Sequence, residues 1–154
     1  MTLQPKKLRA SRSCKPAPVP TRTQVAALCY RDRRKQGRQI LLVTSRGSGR
    51  WILPKGWPIK GLNASGAAKQ EAWEEAGVRG KISNEPLGSF HYKKRLDDGS
   101  RAICEAQVFA MKVAGLSNKF PERDERERKW VSPQTAAKMV SEPALQNIIR
   151  DFQG

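Results

Sequence analysis

Histidine is almost missing from this chain, with one residue in 154, and cysteine is scarce, with three. Cys14, Cys29 and Cys104 are odd in number, far apart and free of any CxxC spacing, so neither a disulfide framework nor a zinc site is indicated. A reducing cytoplasm is the expected compartment. No apolar run approaches the length of a membrane span, and the basic N-terminus is not followed by the apolar segment of a secretory signal, so no membrane association is expected. Acids are in short supply, 14 against 30 Lys plus Arg, which gives a formal charge of +16 and a pI near 10.4. That balance favours polyanions such as nucleic acid, polyphosphate or phosphorylated small molecules, without choosing among them. Aromatics make up only 6% of the chain, which leaves few to stack on bases and points away from specific nucleic-acid recognition.

What the chain does contain is organised for one ordinary domain. Residues 1–21 form a basic stretch, with Lys6, Lys7, Arg9, Arg12 and Lys15 and no acid, and its composition predicts a disordered tail. The domain is expected over 22–154. Gln24–Tyr30 and Gln39–Ser45 read as two strands of a hairpin, and Trp51–Gly56 as a short strand. A helix should start near Ser65, capped by Asn63 or Ser65, and stop at Gly77. Ala68, Ala72 and Ala76 would let it sit close on a sheet, and Trp73 reads as a packing residue. Downstream, 78–82 lead into a strand over 87–95, which Asp97–Ser100 turns into a return strand over 101–113. The charged stretch 114–128 is expected to be a surface loop, and 129–131 a short strand. Ser132-Pro133 and Ser141-Glu-Pro143 predict two helices, 133–139 and 143–152, the second with a stripe of Leu145, Ile148, Ile149 and Phe152. The order predicts an α+β or layered α-β-α fold with a mixed sheet.

Chemistry concentrates between Pro54 and Val78, where a glycine-punctuated loop runs into a helix bearing Glu71, Glu74 and Glu75. At three- and four-residue spacing these carboxylates crowd one edge of the helix and repel. A hard divalent cation explains their presence; the bland alternative is a solvated acidic face. The spacing resembles the Nudix box, Gly-x5-Glu-x7-Arg-Glu-U-x-Glu-Glu-x-Gly-U, where U is a bulky aliphatic residue. Gly56, Glu71, Glu74, Glu75, Gly77 and Val78 match, and Ala72 is a small form of U. Leu62 stands where the first Glu belongs, and Gln70 where Arg belongs.

The resemblance implies a Nudix-type α-β-α sandwich and a pyrophosphohydrolase that uses Mg²⁺ or Mn²⁺, with Gly56, Glu71, Glu74 and Glu75 as the metal set and the three glutamates as catalytic residues. The general base can also come from outside the box, and Glu105 and Glu127 are the candidates. Thr44–Gly56 is similar to the corresponding segment of the diphosphoinositol polyphosphate and diadenosine polyphosphate hydrolase branch. Arg46, Arg50, Lys55, Lys93, Lys94 and Arg95 are therefore expected to bind the phosphates of a small-molecule substrate. His91 is compatible with phosphate contact or with an inert strand position. Gln70 cannot form the charged Arg pair that would position a glutamate, but its amide can still hydrogen-bond. Two rival readings stand: a Nudix-like module that binds a nucleotide or polyphosphate without efficient catalysis, motivated by Leu62 and Gln70, and nonspecific nucleic-acid binding, motivated by charge alone. A monomer or weak homodimer is expected.

Overall fold

Strand β1 (Thr21–Arg33) buries every residue from Gln24 to Cys29, with no alternation, as a strand must when both of its faces are covered. This computed structural model describes residues 21–152; the basic stretch 1–20 and the last two residues lie outside the described residues. Strand β2 (Gly37–Thr44) returns antiparallel to β1 through a turn in which Gly37 takes φ 72°, confirming the expected hairpin. Two short strands, β3 (Trp51–Ile52) and β4 (Lys55–Gly56), pair with β2 and β1. Helix α1 (Ala64–Ala76) follows, then β5 (Val78–Arg95), β6 (Arg101–Leu116), β7 (Arg128–Val131), α2 (Pro133–Met139) and α3 (Pro143–Asp151).

The sheet runs β3-β2-β1-β6-β5, with β7 also on β2. The β1–β6 pair is parallel and the other pairs are antiparallel, so the sheet is mixed, as expected. Two cores lie on its two faces. One holds Leu28, Ile40, Leu42, Val108, Leu145 and Ile149 under α2 and α3; the other holds Val25, Ala27, Leu41, Val43 and Met111 under α1. An α-β-α sandwich results. Helix α1 touches the sheet through Ala68, Ala72 and Ala76, each at 0% exposure, because only a methyl-sized stripe lets the helix backbone approach so closely.

Local chemistry sets the ends of α1. Of the two candidate caps, Asn63 is the one used: its side chain accepts from the Gly66 N–H at 2.8 Å. Gly77 ends the helix at φ 68°, where a side chain would also collide with Phe120 and the Ser117 carbonyl at 2.6 Å. Ser132 caps α2, accepting from Thr135 N–H at 3.1 Å. For α3 the cap position falls on Glu142, with no side-chain bond, so Pro143 starts that helix without the predicted serine cap.

Three expectations need correction. Strand β5 is one long irregular strand rather than two pieces, with register shifts around Ile82, Pro86 and Gly88. Strand β6 continues to Leu116. The rest of 114–128 is not a detached surface loop: Phe120 is buried at 8%, the Ser117 N–H donates to the Gly77 carbonyl (2.9 Å), and the Glu122 N–H donates to the Glu74 carbonyl (3.0 Å). A single aromatic anchor among alternating charges carries no periodic signal, which is why sequence pattern misses it.

Candidate active site

Helix α1 and strand β4 form the acidic wall. Gly56 comes so close to the helix that a Cβ placed on it would lie 2.4 Å from the Glu71 carboxyl carbon, so only glycine leaves room for that side chain. Glu75, 5% exposed, accepts the Lys55 backbone N–H at 3.2 Å and meets the Arg126 guanidinium at 3.5 Å. Glu71 and Glu75 line the same cleft, where their like charges oppose each other. Burial, followed by the Glu75 charge, pushes Glu71 from its ordinary 4.5 up to about 8, and burial also raises Glu75 against the opposing pull of Arg126. Glu74, expected with them, is not among the residues that line the cleft; it accepts from Gln70 Nε2 at 2.7 Å. Gln70 thus orients Glu74 through a neutral amide, from the position where the Nudix pattern has arginine.

Facing these acids is a cationic wall. Arg46, Arg50, Lys55, Lys93, Lys94 and Arg95 all line the same cleft of about 560 Å³ as Gly56, Glu71 and Glu75. Strand β5 delivers 93–95, and the loop between β2 and β3 delivers Arg46 and Arg50. Lys55 Nζ lies 4.8 Å from the centre of the Tyr92 ring, and burial lowers its pKa from 10.5 to about 8. The Tyr92 hydroxyl donates to the buried Gln24 side chain, which fixes this floor against β1. Arg46 is partly engaged already, by Glu125 at 3.0 Å and Glu122 at 3.9 Å.

The sequence reading missed two residues in this cleft, Glu122 and Arg126. Arg126, with a side chain 6% exposed, donates to Glu122 Oε1 (2.8 Å) and the Thr44 carbonyl (2.9 Å), and also faces Glu75. Glu122 therefore joins the acid cluster as a carboxylate from outside the box. Their i,i+4 spacing is the only sequence signal, and it is common on surfaces. The candidates named instead lie elsewhere. Glu105 pairs with His91 at 3.9 Å on an exposed part of β5–β6, Glu127 is exposed beside Thr44, and none of the three lines the cleft. Leu62 is 48% exposed and also lies outside the cleft lining. Trp57, an unassigned aromatic, stands 39% exposed at the cleft, with Lys94 6.0 Å from its ring. A larger and more apolar cavity of about 810 Å³ lies elsewhere, between β5, β6 and α3, and holds none of this chemistry.

Anionic oxygens on one wall and guanidinium and ammonium groups on the other suit a protein that handles phosphate anhydrides or esters. Within that class the chain belongs to the Nudix family: the family model for the NUDIX domain matches residues 21–152. Nudix hydrolase 12, mitochondrial, of Arabidopsis thaliana is 30% identical over 117 residues, which cover 74% of this chain and 58% of that protein. Diphosphoinositol polyphosphate phosphohydrolase 3-alpha of Mus musculus is 32% identical over 136 residues, covering 82% of this chain and 77% of that protein. The chain spans 58%, 59% and 63% of the length of three Arabidopsis Nudix hydrolases that it matches. Among solved structures, a C. elegans Ap4A hydrolase superposes with a TM-score of 0.60 at 18% identity, covering 85% of this chain and 95% of that one. The NUDIX domain of Shewanella oneidensis NrtR, complexed with ADP ribose, gives 0.61 at 17%, covering 95% and 97%. These two share the fold. No described helix is long and apolar enough to cross a membrane.

Proposed function

We propose that this chain hydrolyses a diphosphate linkage in a highly phosphorylated small molecule, a diphosphoinositol polyphosphate or a dinucleoside polyphosphate, with Mg²⁺ or Mn²⁺. The observation that supports this most is the convergence of six separate cations and the Glu71–Glu75 pair on one cleft. The donors fit a hard cation in kind: they are carboxylate oxygens, and the proton that the raised Glu71 carboxyl retains is what a dication would displace. Among the described residues no three acid, histidine or cysteine side chains form a ready-made cage, so the metal set is assigned to Gly56, Glu71, Glu74 and Glu75 from the box alone. Bound there, the cation would neutralise the diphosphate and acidify a water.

The chain's own residues would do the rest. Arg50, Lys55, Lys93, Lys94 and Arg95 hold the phosphates by charge-assisted hydrogen bonds, and Arg46 adds to them by exchanging Glu125 for substrate. Glu122, kept in one orientation by Arg126, is placed to accept a proton from the attacking water. The mouse relative's name supports the diphosphoinositol class, and the cation-rich rim favours many phosphates over base recognition. The substrate is a free small molecule, the working form a monomer or weak homodimer, and the compartment a reducing cytoplasm, in keeping with the free, buried Cys29 and Cys104. One observation favours a binding-only module: Arg126 already supplies Glu75 with a cation.

A panel of inositol pyrophosphates, dinucleoside polyphosphates and nucleotides, incubated with Mg²⁺ and followed by chromatographic separation of substrate and products, separates the two. Hydrolysis of one polyphosphate class well above a Glu75→Gln control is expected. Saturable binding with no product formed above that control would leave the binding module.

A further inference from the structure

The parallel strands β1 and β6 run together only as far as Tyr30 and Lys112. Beyond that pair β1 stays with β2 (Arg31↔Gln39, Arg33↔Gly37) and β6 stays with β5 (Gly80↔Val113, Arg79↔Gly115), so the two carboxyl ends part. The split leaves a gap of about 430 Å³, walled by residues 31–33 on one side, 113–116 on the other, and Trp130. Crevices outside the carboxyl ends of parallel strands, at points where neighbouring strands lead their chains apart, are where open α/β sheets admit ligands.

The charges around this gap are out of balance. Arg31, Arg33 and Lys112 line it against one acid, Asp32, whose two oxygens are taken by Arg38 at 2.8 and 3.1 Å. None of the three cations has an ion pair within 4.0 Å among the described residues. Burial, and then Arg33, lower the Arg31 pKa, a sign that these guanidiniums crowd one another. The Arg31 guanidinium covers the Trp130 ring at 4.0 Å. Trp130 Nε1–H is the one buried side-chain polar group among the described residues without a hydrogen-bond partner. Excess cations thus meet at one opening that Trp130 also lines, at the opposite end of β1 from the cleft residue Gln24.

We propose that this gap is a second anion site, binding a phosphate-type oxyanion supplied either by a free polyphosphate or by a nucleic-acid backbone. It is independent of the hydrolase reading, since none of its lining residues lies in the catalytic cleft. The test uses the full chain labelled with ¹⁵N-tryptophan and free of divalent metal. The four indole N–H resonances are assigned by Trp→Phe substitution, and tripolyphosphate is titrated against an NaCl control of equal ionic strength. The Trp130 resonance should shift saturably with tripolyphosphate and not with NaCl. The double variant Arg33→Ala/Lys112→Ala should weaken that shift by at least about tenfold, the effect of losing a charge-assisted hydrogen bond. The variant's other indole resonances, unmoved before titration, would report an intact fold. A parallel titration with a single-stranded oligonucleotide identifies the source: tighter binding than tripolyphosphate assigns the site to a nucleic-acid backbone, and weaker or no binding to a free polyphosphate. A Trp130 signal that stays fixed, or tracks ionic strength alone, while Trp57 in the cleft responds would overturn the proposal.

Discussion

Glu71 is the residue on which the proposed chemistry and a thermodynamic consequence meet. Its folded-state carboxyl is pushed from 4.5 up to about 8, so the folded chain keeps a proton that the unfolded chain gives up near 4.5. Stability from this group is therefore complete below pH 4.5 and is lost as the pH rises toward 8. The melting temperature of the metal-free protein should fall across that window, Glu71→Gln should flatten the fall, and Mg²⁺ should reverse it in the parent protein alone. Thermal scans at several pH values check this; a parent and a variant with parallel pH profiles would show Glu71 to be an ordinary solvated acid. Turnover of Glu71→Gln and Glu75→Gln should be abolished with the fold intact. Arg126→Gln should behave differently. It strips two largely buried carboxylates of their cation, so a stability loss of about 3–5 kcal/mol by chemical denaturation is expected.

At the scale of elements, two glycines bracket the α1 region and do different work. At Gly56 an added Cβ meets only the Glu71 carboxyl, the far end of a flexible side chain, which can swing away. Gly56→Ala should keep its melting temperature and lose turnover on the order of 100-fold, as displacement of a reacting group does. At Gly77 the added Cβ meets Phe120 and a backbone carbonyl, and φ 68° itself costs an L-residue roughly 1–2 kcal/mol. Gly77→Ala should therefore lower stability and, in the surviving folded fraction, leave KM unchanged. Measuring kcat, KM and unfolding for both variants tests the division; a Gly56→Ala enzyme with full activity would place Glu71 outside the chemistry.

Across the whole molecule, the question is which of its cations serve the substrate. Arg50→Ala and Lys94→Ala should chiefly raise KM for substrates with many phosphates, each removing a contact worth about 1.5–3 kcal/mol where it is desolvated. Arg46→Ala should do less, because Arg46 must first leave Glu125. Deleting residues 1–20 should leave hydrolysis of a small substrate nearly unchanged, since their composition predicts a solvated stretch, and solvated charges are screened over about 8 Å at physiological salt. Steady-state kinetics at low and moderate salt decide this: a truncation more costly than the rim substitutions would give phosphate recognition to the N-terminal stretch.

The sequence by itself determined what depends on short spacing. The i, i+3 and i+4 acids of α1, its alanine stripe, its Gly77 end and the β1–β2 hairpin are local, and all were legible before the fold was known, whereas the cap was narrowed only to Asn63 or Ser65. So was the set of cations, although their sharing one cleft was only an expectation until β5 and the β2–β3 loop were brought to the same end of the sheet. Tertiary structure alone decided the rest. Glu122 and Arg126 enter the cleft because Phe120 packs on Gly77 and the Glu122 N–H reaches the Glu74 carbonyl, contacts between segments more than forty residues apart that no periodicity records. Glu105, Glu127 and His91 were excluded in the same way, by a strand register and a loop path that set which face each side chain takes. The raised carboxyl of Glu71 is likewise a property of burial, and burial is fixed only when the sheet and the helix close on it.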